Sequence, residues 1–173
     1  MNKLFKPKSN EELNEGLKSL DDSRLFILSA RIGYKKGVEI SLKNKDLMCH
    51  KISAFNQAIM TNQIEIVKLL IDNGTAIHTS ANFAIRHASG NGYDEIVKLL
   101  IEAGVDIHAN LEESLKFACV RGYHKVVKLL VEAGADTSKL GPSYLEHAFN
   151  SGFYEINKIL KYNENTRFFK QNN

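Results

Sequence analysis

The chain has 173 residues, with 23 Lys and Arg against 20 Asp and Glu and 43% hydrophobic residues. A net charge of +3, with no strongly one-signed block, excludes the dense basic footprint of a nucleic-acid binder. Two cysteines, Cys49 and Cys119, with no C-x-x-C between them, exclude a disulfide framework and a structural zinc site, and no 18 apolar residues run together to span a membrane.

Residues 1–20 begin with a helix signal. Ser9-Asn10-Glu11-Glu12 fits a capping box, and Leu13, Leu17 and Leu20 recur at helical spacing, which predicts an N-terminal capping helix. The segment MNKLFKPKSNEEL lacks the apolar core of a secretory signal, so a cytoplasmic chain is expected. Residues 21–50 read as a degenerate repeat, with Leu25, Leu28 and Ser29 on one helix face, Gly33-Tyr34 as a turn, and the pattern lost from Lys35 to His50.

From residue 51 the repetition is plain. Glu65 to Gly74 (EIVKLLIDNG), Glu95 to Gly104 (EIVKLLIEAG) and Lys125 to Gly134 (KVVKLLVEAG) are near copies set at a constant interval, and Gly92, Gly122 and Gly152 keep the same step. A fixed period of this size marks stacked repeats, here 51–80, 81–110 and 111–140, followed by a C-terminal capping repeat, 141–162, and a flexible tail, 163–173. Each unit predicts two helices. The first carries apolar or small residues at i, i+3 and i+4: Phe55, Ala58, Ile59; Ile85, Ala88, Ser89; Leu115, Ala118, Cys119; Leu145, Ala148, Phe149. The second is apolar over more than half its circumference and must be sandwiched between neighbours, so one repeat cannot fold alone; in the third unit Gly104 ends it, and Val105 to Glu112 reads as the loop to the next helix. In the last unit Asn157 and Lys161 replace the Val127 and Val131 of the unit before, as a terminal cap requires.

The pattern L-x-x-A-x-x-x-G followed by I/V-V-K-L-L-x-x-G-A-D, best seen from Leu115 to Asp136, resembles the ankyrin repeat. The family's Thr-Pro-Leu-His signature falls on Glu113-Ser114-Leu115-Lys116, where only the leucine survives. The resemblance implies an all-α helical solenoid. Its period is about three residues shorter than the usual ~33, which shortens the projecting hairpin loops. A 30-residue ankyrin unit of this kind is similar to those of giant DNA viruses of amoebae, which would place the chain in a host-cell cytoplasm.

Other motifs carry less. Gly90-Asn91-Gly92 imitates a phosphate loop, but its sister segments Val120-Arg121-Gly122 and Asn150-Ser151-Gly152 mark an inter-helix turn. Cys119 falls on the buried face as a core thiol. Adjacent Cys49 and His50 do not make a metal site, and neither do His78 and His108, read as loop histidines bonded to backbone; His87 and His147 pack beside the first helix. Lys68, Lys98, Lys128 and Lys158 share one register beside acidic neighbours, as a solvated face does. No nucleophile, base or ligand set converges, so neither an enzyme nor a cofactor is expected.

On the first helices the residues away from the core vary while the scaffold repeats: Asn56, Met60 and Thr61; Arg86, Gly90 and Asn91; Lys116, Val120 and Arg121; Glu146, Asn150 and Ser151. The resemblance implies that partners bind there. The expected function is a monomeric, non-catalytic scaffold that grips an acidic protein segment through Arg86, Asn91, Lys116, Arg121 and Glu146. The alternative is a structural component that self-associates, with Phe168-Phe169 as its apolar contact.

Overall fold

A computed structural model describes residues 21–161, apart from the side chains of residues 109–111. The capping helix expected over 1–20 and the tail expected over 163–173, with Phe168 and Phe169, lie outside these residues. Among the described residues the regular structure is entirely helical. It comprises α1 (Asp22–Ile32), α2 (Lys35–Lys43), a 3-10 turn (Lys45–His50), α3 (Lys51–Met60), α4 (Ile64–Asp72), a 3-10 turn (Ile77–Ser80), α5 (Ala81–Asn91) and α6 (Asp94–Glu102). There follow α7 (Ala109–Val120), α8 (His124–Glu132), a 3-10 turn (Thr137–Lys139), α9 (Pro142–Asn150) and α10 (154–161).

The helices pair in sequence and the pairs stack. First helices α1, α3, α5, α7 and α9 each contact the next, and second helices α2, α4, α6 and α8 do the same, so two parallel rows form the solenoid. The core lies between the rows. Phe55, Ala58 and Ile59, their counterparts Ile85, Ala88 and Ser89, and then Leu115, Ala118 and Cys119 are all but sealed from solvent, as are Ile66, Val67, Leu70 and their equivalents on α6 and α8. The alanine in each first helix lets its neighbour approach closely.

The turn inside each unit needs a left-handed residue. Gly92, Gly122 and Gly152 have φ of 73, 78 and 74°. Two of them also need the absence of a side chain: a Cβ on Gly92 would stand 2.7 Å from Tyr123, and one on Gly122 would stand 2.8 Å from Phe153. The next unit's aromatic ring thus lies over each turn. In the second unit Asn62 takes the same place at φ 57°, a role that asparagine fills with less strain than most residues.

The first unit differs from expectation in two ways. Its buried first-helix residues are Phe26, Ser29 and Ala30, whereas Leu25 and Leu28 are half-buried. The unit is shorter than its successors: the step from Gly33 to Asn62 is one position smaller than the step from Asn62 to Gly92, and the face rotates accordingly. The second half has also kept its helix. Val38 and Ser41 are buried, and Gly37 presses against Ser29 and Tyr34 where any Cβ would collide. Val38 matches Val67 across the same shortened step, so the apolar pattern is present but thinned by Gly37 and Ser41. At the start α1 is fixed by Asp21, whose carboxylate accepts from the Arg24 amide at 2.8 Å.

Two further corrections concern the later units. The segment after α6, expected as a loop to Glu112, becomes helical at Ala109. Phe149, expected on the buried face, is 64% exposed, because no described unit follows to cover it. Asn157 is buried, and its amide nitrogen finds no hydrogen-bond partner among the described residues.

Candidate functional site

The first-helix row presents its outer side to solvent. Arg86 is half-exposed there, and its Nη1 donates to Glu113 Oε2 of the next helix at 3.2 Å, so the two charges cancel. Asn91 is exposed and donates through Nδ2 to the His87 carbonyl at 2.8 Å, within its own helix. Arg121 donates through Nη1 to the Gly90 carbonyl, and its guanidinium lies 5.9 Å from the centre of the Phe117 ring. Lys116 is half-buried and Glu146 exposed. Of the five residues expected to bind, three are already engaged inside the stack, and the row has a weaker positive cast than the sequence suggests.

Arg121 belongs to a wider arrangement. The last carbonyls of an α-helix have no partner within the helix and form the negative end of its dipole. Here the next unit supplies donors. Thr61 Oγ1 and Gln63 Nε2 reach the Arg31 carbonyl at 2.8 and 3.2 Å. The Met60 carbonyl faces His87, Arg121 meets Gly90, and His147 Nε2 lies 3.2 Å from the Val120 carbonyl. The histidines expected merely to pack are therefore rungs between units. Burial holds His87 below the usual imidazole range, against the opposing effect of that carbonyl.

Apolar side chains complete the face. Met60, Phe117 and Val120 are 46%, 37% and 42% exposed, and Phe117 was not apparent from the varying positions alone. Its signal is in the register: the equivalents of Phe117 are Gln57, His87 and His147, all polar. Gly90, by contrast, is buried beneath Phe117 and Arg121 and offers no surface.

The second-helix row is of another character. Lys98 and Glu102 lie 3.9 Å apart and Lys128 and Glu132 3.8 Å, all well exposed, while Lys125 spans to Asp94 at 3.7 Å across α6 and α8. Such exposed pairs contribute little each. A groove of about 700 Å³ runs between α8 and α10, floored by Val131 and Ile159 and rimmed by Lys128, Glu132, Glu155 and Lys158.

The remaining polar groups are structural. His108 Nδ1 lies 2.7 Å from Glu112 Oε1 instead of bonding backbone, and that carboxylate is buried, its Oε2 without a hydrogen-bond partner among the described residues. Its hydrogen bond to Glu112 raises the His108 pKa above the usual value, against a smaller opposing effect of burial. Burial pushes the Cys119 thiol up to about 12, which makes it inert near neutral pH. Cys49 and His50 do meet, Sγ to Nδ1 at 3.2 Å in the 3-10 turn, yet among the described residues no three His, Cys, Asp or Glu are placed to hold a metal.

Stacked helix pairs joined by left-handed turns define a helical-repeat protein. The family model for ankyrin repeats (3 copies) matches residues 25–111 and 85–172, and the chain belongs to that family. Ankyrin repeats generally mediate protein–protein interaction and are typically non-catalytic. No curated protein matches the sequence closely enough to lend it a partner. Among the described residues no helix is long and apolar enough to cross a membrane.

Proposed function

We propose that the chain is a non-catalytic scaffold that binds another protein through its first-helix face. The observation that supports this reading most is the contrast between the two rows. In the central units the first-helix row exposes Met60, Phe117 and Val120 among polar residues that differ in every unit, whereas the second helices α4, α6 and α8 repeat a strip of lysines and acids, the exposed Ile40 and Tyr154 of that row lying on the flanking α2 and α10. Apolar side chains set among varied polar groups are what a specific interface uses; a repeated charged strip keeps a stack soluble. On this reading the protein acts as a monomer in the cytoplasm, in keeping with its two free thiols. On the same reading its repeat spacing also supports a kinship with the short-period ankyrin proteins of giant DNA viruses.

The test compares proteins captured by the wild-type chain, by Phe117→Ser/Val120→Ser, and by Lys98→Glu on the opposite row. Partners held by the wild type should be retained by Lys98→Glu and lost from the double variant. Loss from Lys98→Glu alone, or equal capture by all three, would refute the assignment. Arg121 is a poor choice for substitution, since it holds the Gly90 carbonyl.

One observation favours a second reading, self-association. Phe149 and Tyr154 are both exposed at the C-terminal end of the described stack, where Phe149 occupies the register of the buried Ile59, Ser89 and Cys119.

A further inference from the structure

We infer that the first-helix face selects its partner by charge order along the stack, taking an extended protein segment with an acidic and a basic side chain three residues apart and an apolar side chain beside them. The inference rests on the binding role proposed for this face and names the chemistry of the partner.

Asn56, Arg86, Lys116 and Glu146 form one row, at equivalent positions of successive units, on α3, α5, α7 and α9. Asn56 is uncharged and donates to Ser80 Oγ at 3.3 Å; Arg86 is neutralised by Glu113 at 3.2 Å. The net charge of the row is therefore confined to Lys116 and Glu146, neither of which has an ion pair or hydrogen bond among the described residues. They are opposite in sign and stand on neighbouring helices, which pack about 8–10 Å apart.

A partner lying along the row must match that step. In a polyproline-II segment residues i and i+3 fall on the same side, about 9 Å apart at ~3.1 Å per residue. An acid at one of these positions would face Lys116 and a base at the other would face Glu146. Val120 lies one turn beyond Lys116 on the same face of α7, and Phe117, also exposed, flanks that face three residues before Val120, so an apolar side chain between the two charges meets apolar surface. The sister helices do not offer this combination. At the positions of Phe117 and Val120, α5 has His87 and the covered Gly90, and α9 has His147 and Asn150. On α3 the exposed Met60 stands at the Val120 position, but the row residue there is the uncharged Asn56; among the described residues the charge step and the apolar contact coincide only between α7 and α9.

The experiment is selection from a phage-displayed library of random linear peptides on three baits, each the full chain: wild type, Lys116→Glu and Glu146→Lys. Circular dichroism should show all three equally helical. The wild type should enrich clones with an acid and a base three residues apart. Lys116→Glu should enrich two bases at that spacing, and Glu146→Lys two acids. Each reversal should cut recovery of wild-type clones about two- to thirtyfold, since an exposed ion pair is lost and a like-charge contact of similar size replaces it. If the three baits enrich the same charge pattern, charge order is overturned while the face survives as a binding site. If no bait enriches any clone above a tag-only control, the proposed binding role falls with it.

Discussion

At the scale of single residues, two glycine positions that look alike in sequence carry different burdens. Gly104 and Gly122 have nearly equal φ, 76 and 78°, but a Cβ on Gly104 would meet open space and one on Gly122 would strike the Phe153 ring. Gly104→Ala should cost about 1 kcal/mol, the strain of a left-handed non-glycine residue alone. Gly122→Ala should cost about 2 kcal/mol or more, because the ring must also give way. Urea denaturation of the two variants side by side would check this. Equal losses would mean that the ring yields without penalty.

His108 gives a second residue-scale expectation. Its carboxylate partner, Glu112, has a side chain only 4% exposed and a φ of 63°, while the imidazole is 57% exposed. The hydrogen bond to Glu112 raises the imidazole pKa above the ordinary 6.5, with Asp106 and Asp136 adding to the pull. The folded state therefore holds this proton more tightly than the unfolded chain does. The pair contributes fully below about pH 6.5 and its contribution fades as pH rises through the folded value. His87, whose pKa burial lowers, acts in the opposite sense: its protonation on acidification opposes folding. The difference between wild type and Glu112→Gln separates the two. Urea midpoints measured from pH 5.5 to 9 should fall less steeply with rising pH in the variant, and parallel curves would show that Glu112 does not hold the His108 proton.

At the scale of the element, the second helices show why so much of the fold was legible. Ile96, Val97 and Leu100 are fully buried and Leu99 and Ile101 half-buried, as a helix apolar over most of its circumference demands. Leu100→Ala should accordingly cost about 2–5 kcal/mol in a denaturation experiment, as a large-to-small change in a closed core does. A loss near zero would show that the stack can collapse onto the gap. What the sequence hid was local and depended on neighbours. The slip by a single position in the first unit hid α2, because a pattern sought at the regular period misses one displaced from it. Asn62 gave no sign of a left-handed turn where its sisters are glycine. The candidate face was legible as varying positions, but its electrostatics were not. The ties from Arg86 to Glu113 and from Arg121 to Gly90 join residues 27 and 31 apart, and only the stacking brings them together.

At the scale of the whole molecule, the open C-terminal end of the described stack invites a measurement. Phe149 stands where every earlier unit is covered by its successor. If copies associate through this end, the wild type should show a concentration-dependent rise in mass by light scattering that Phe149→Asp abolishes. A wild type that stays monomeric across the range would remove the self-association reading and leave the scaffold alone.

The rungs between units have a consequence for how such a protein can be rebuilt. Although the helices repeat almost interchangeably, their junctions do not: the joints use a threonine with a glutamine, a histidine, an arginine and again a histidine. The arginine joint also lies close over Gly90, where a Cβ would stand 3.2 Å from the Arg121 Nη1 and the guanidinium would have to give by a few tenths of an ångström. A unit transplanted elsewhere in the series would bring a reaching side chain to a neighbour shaped for a different one. Each repeat is in effect addressed to its predecessor, and the order of the units, not only their number, is written into the chain.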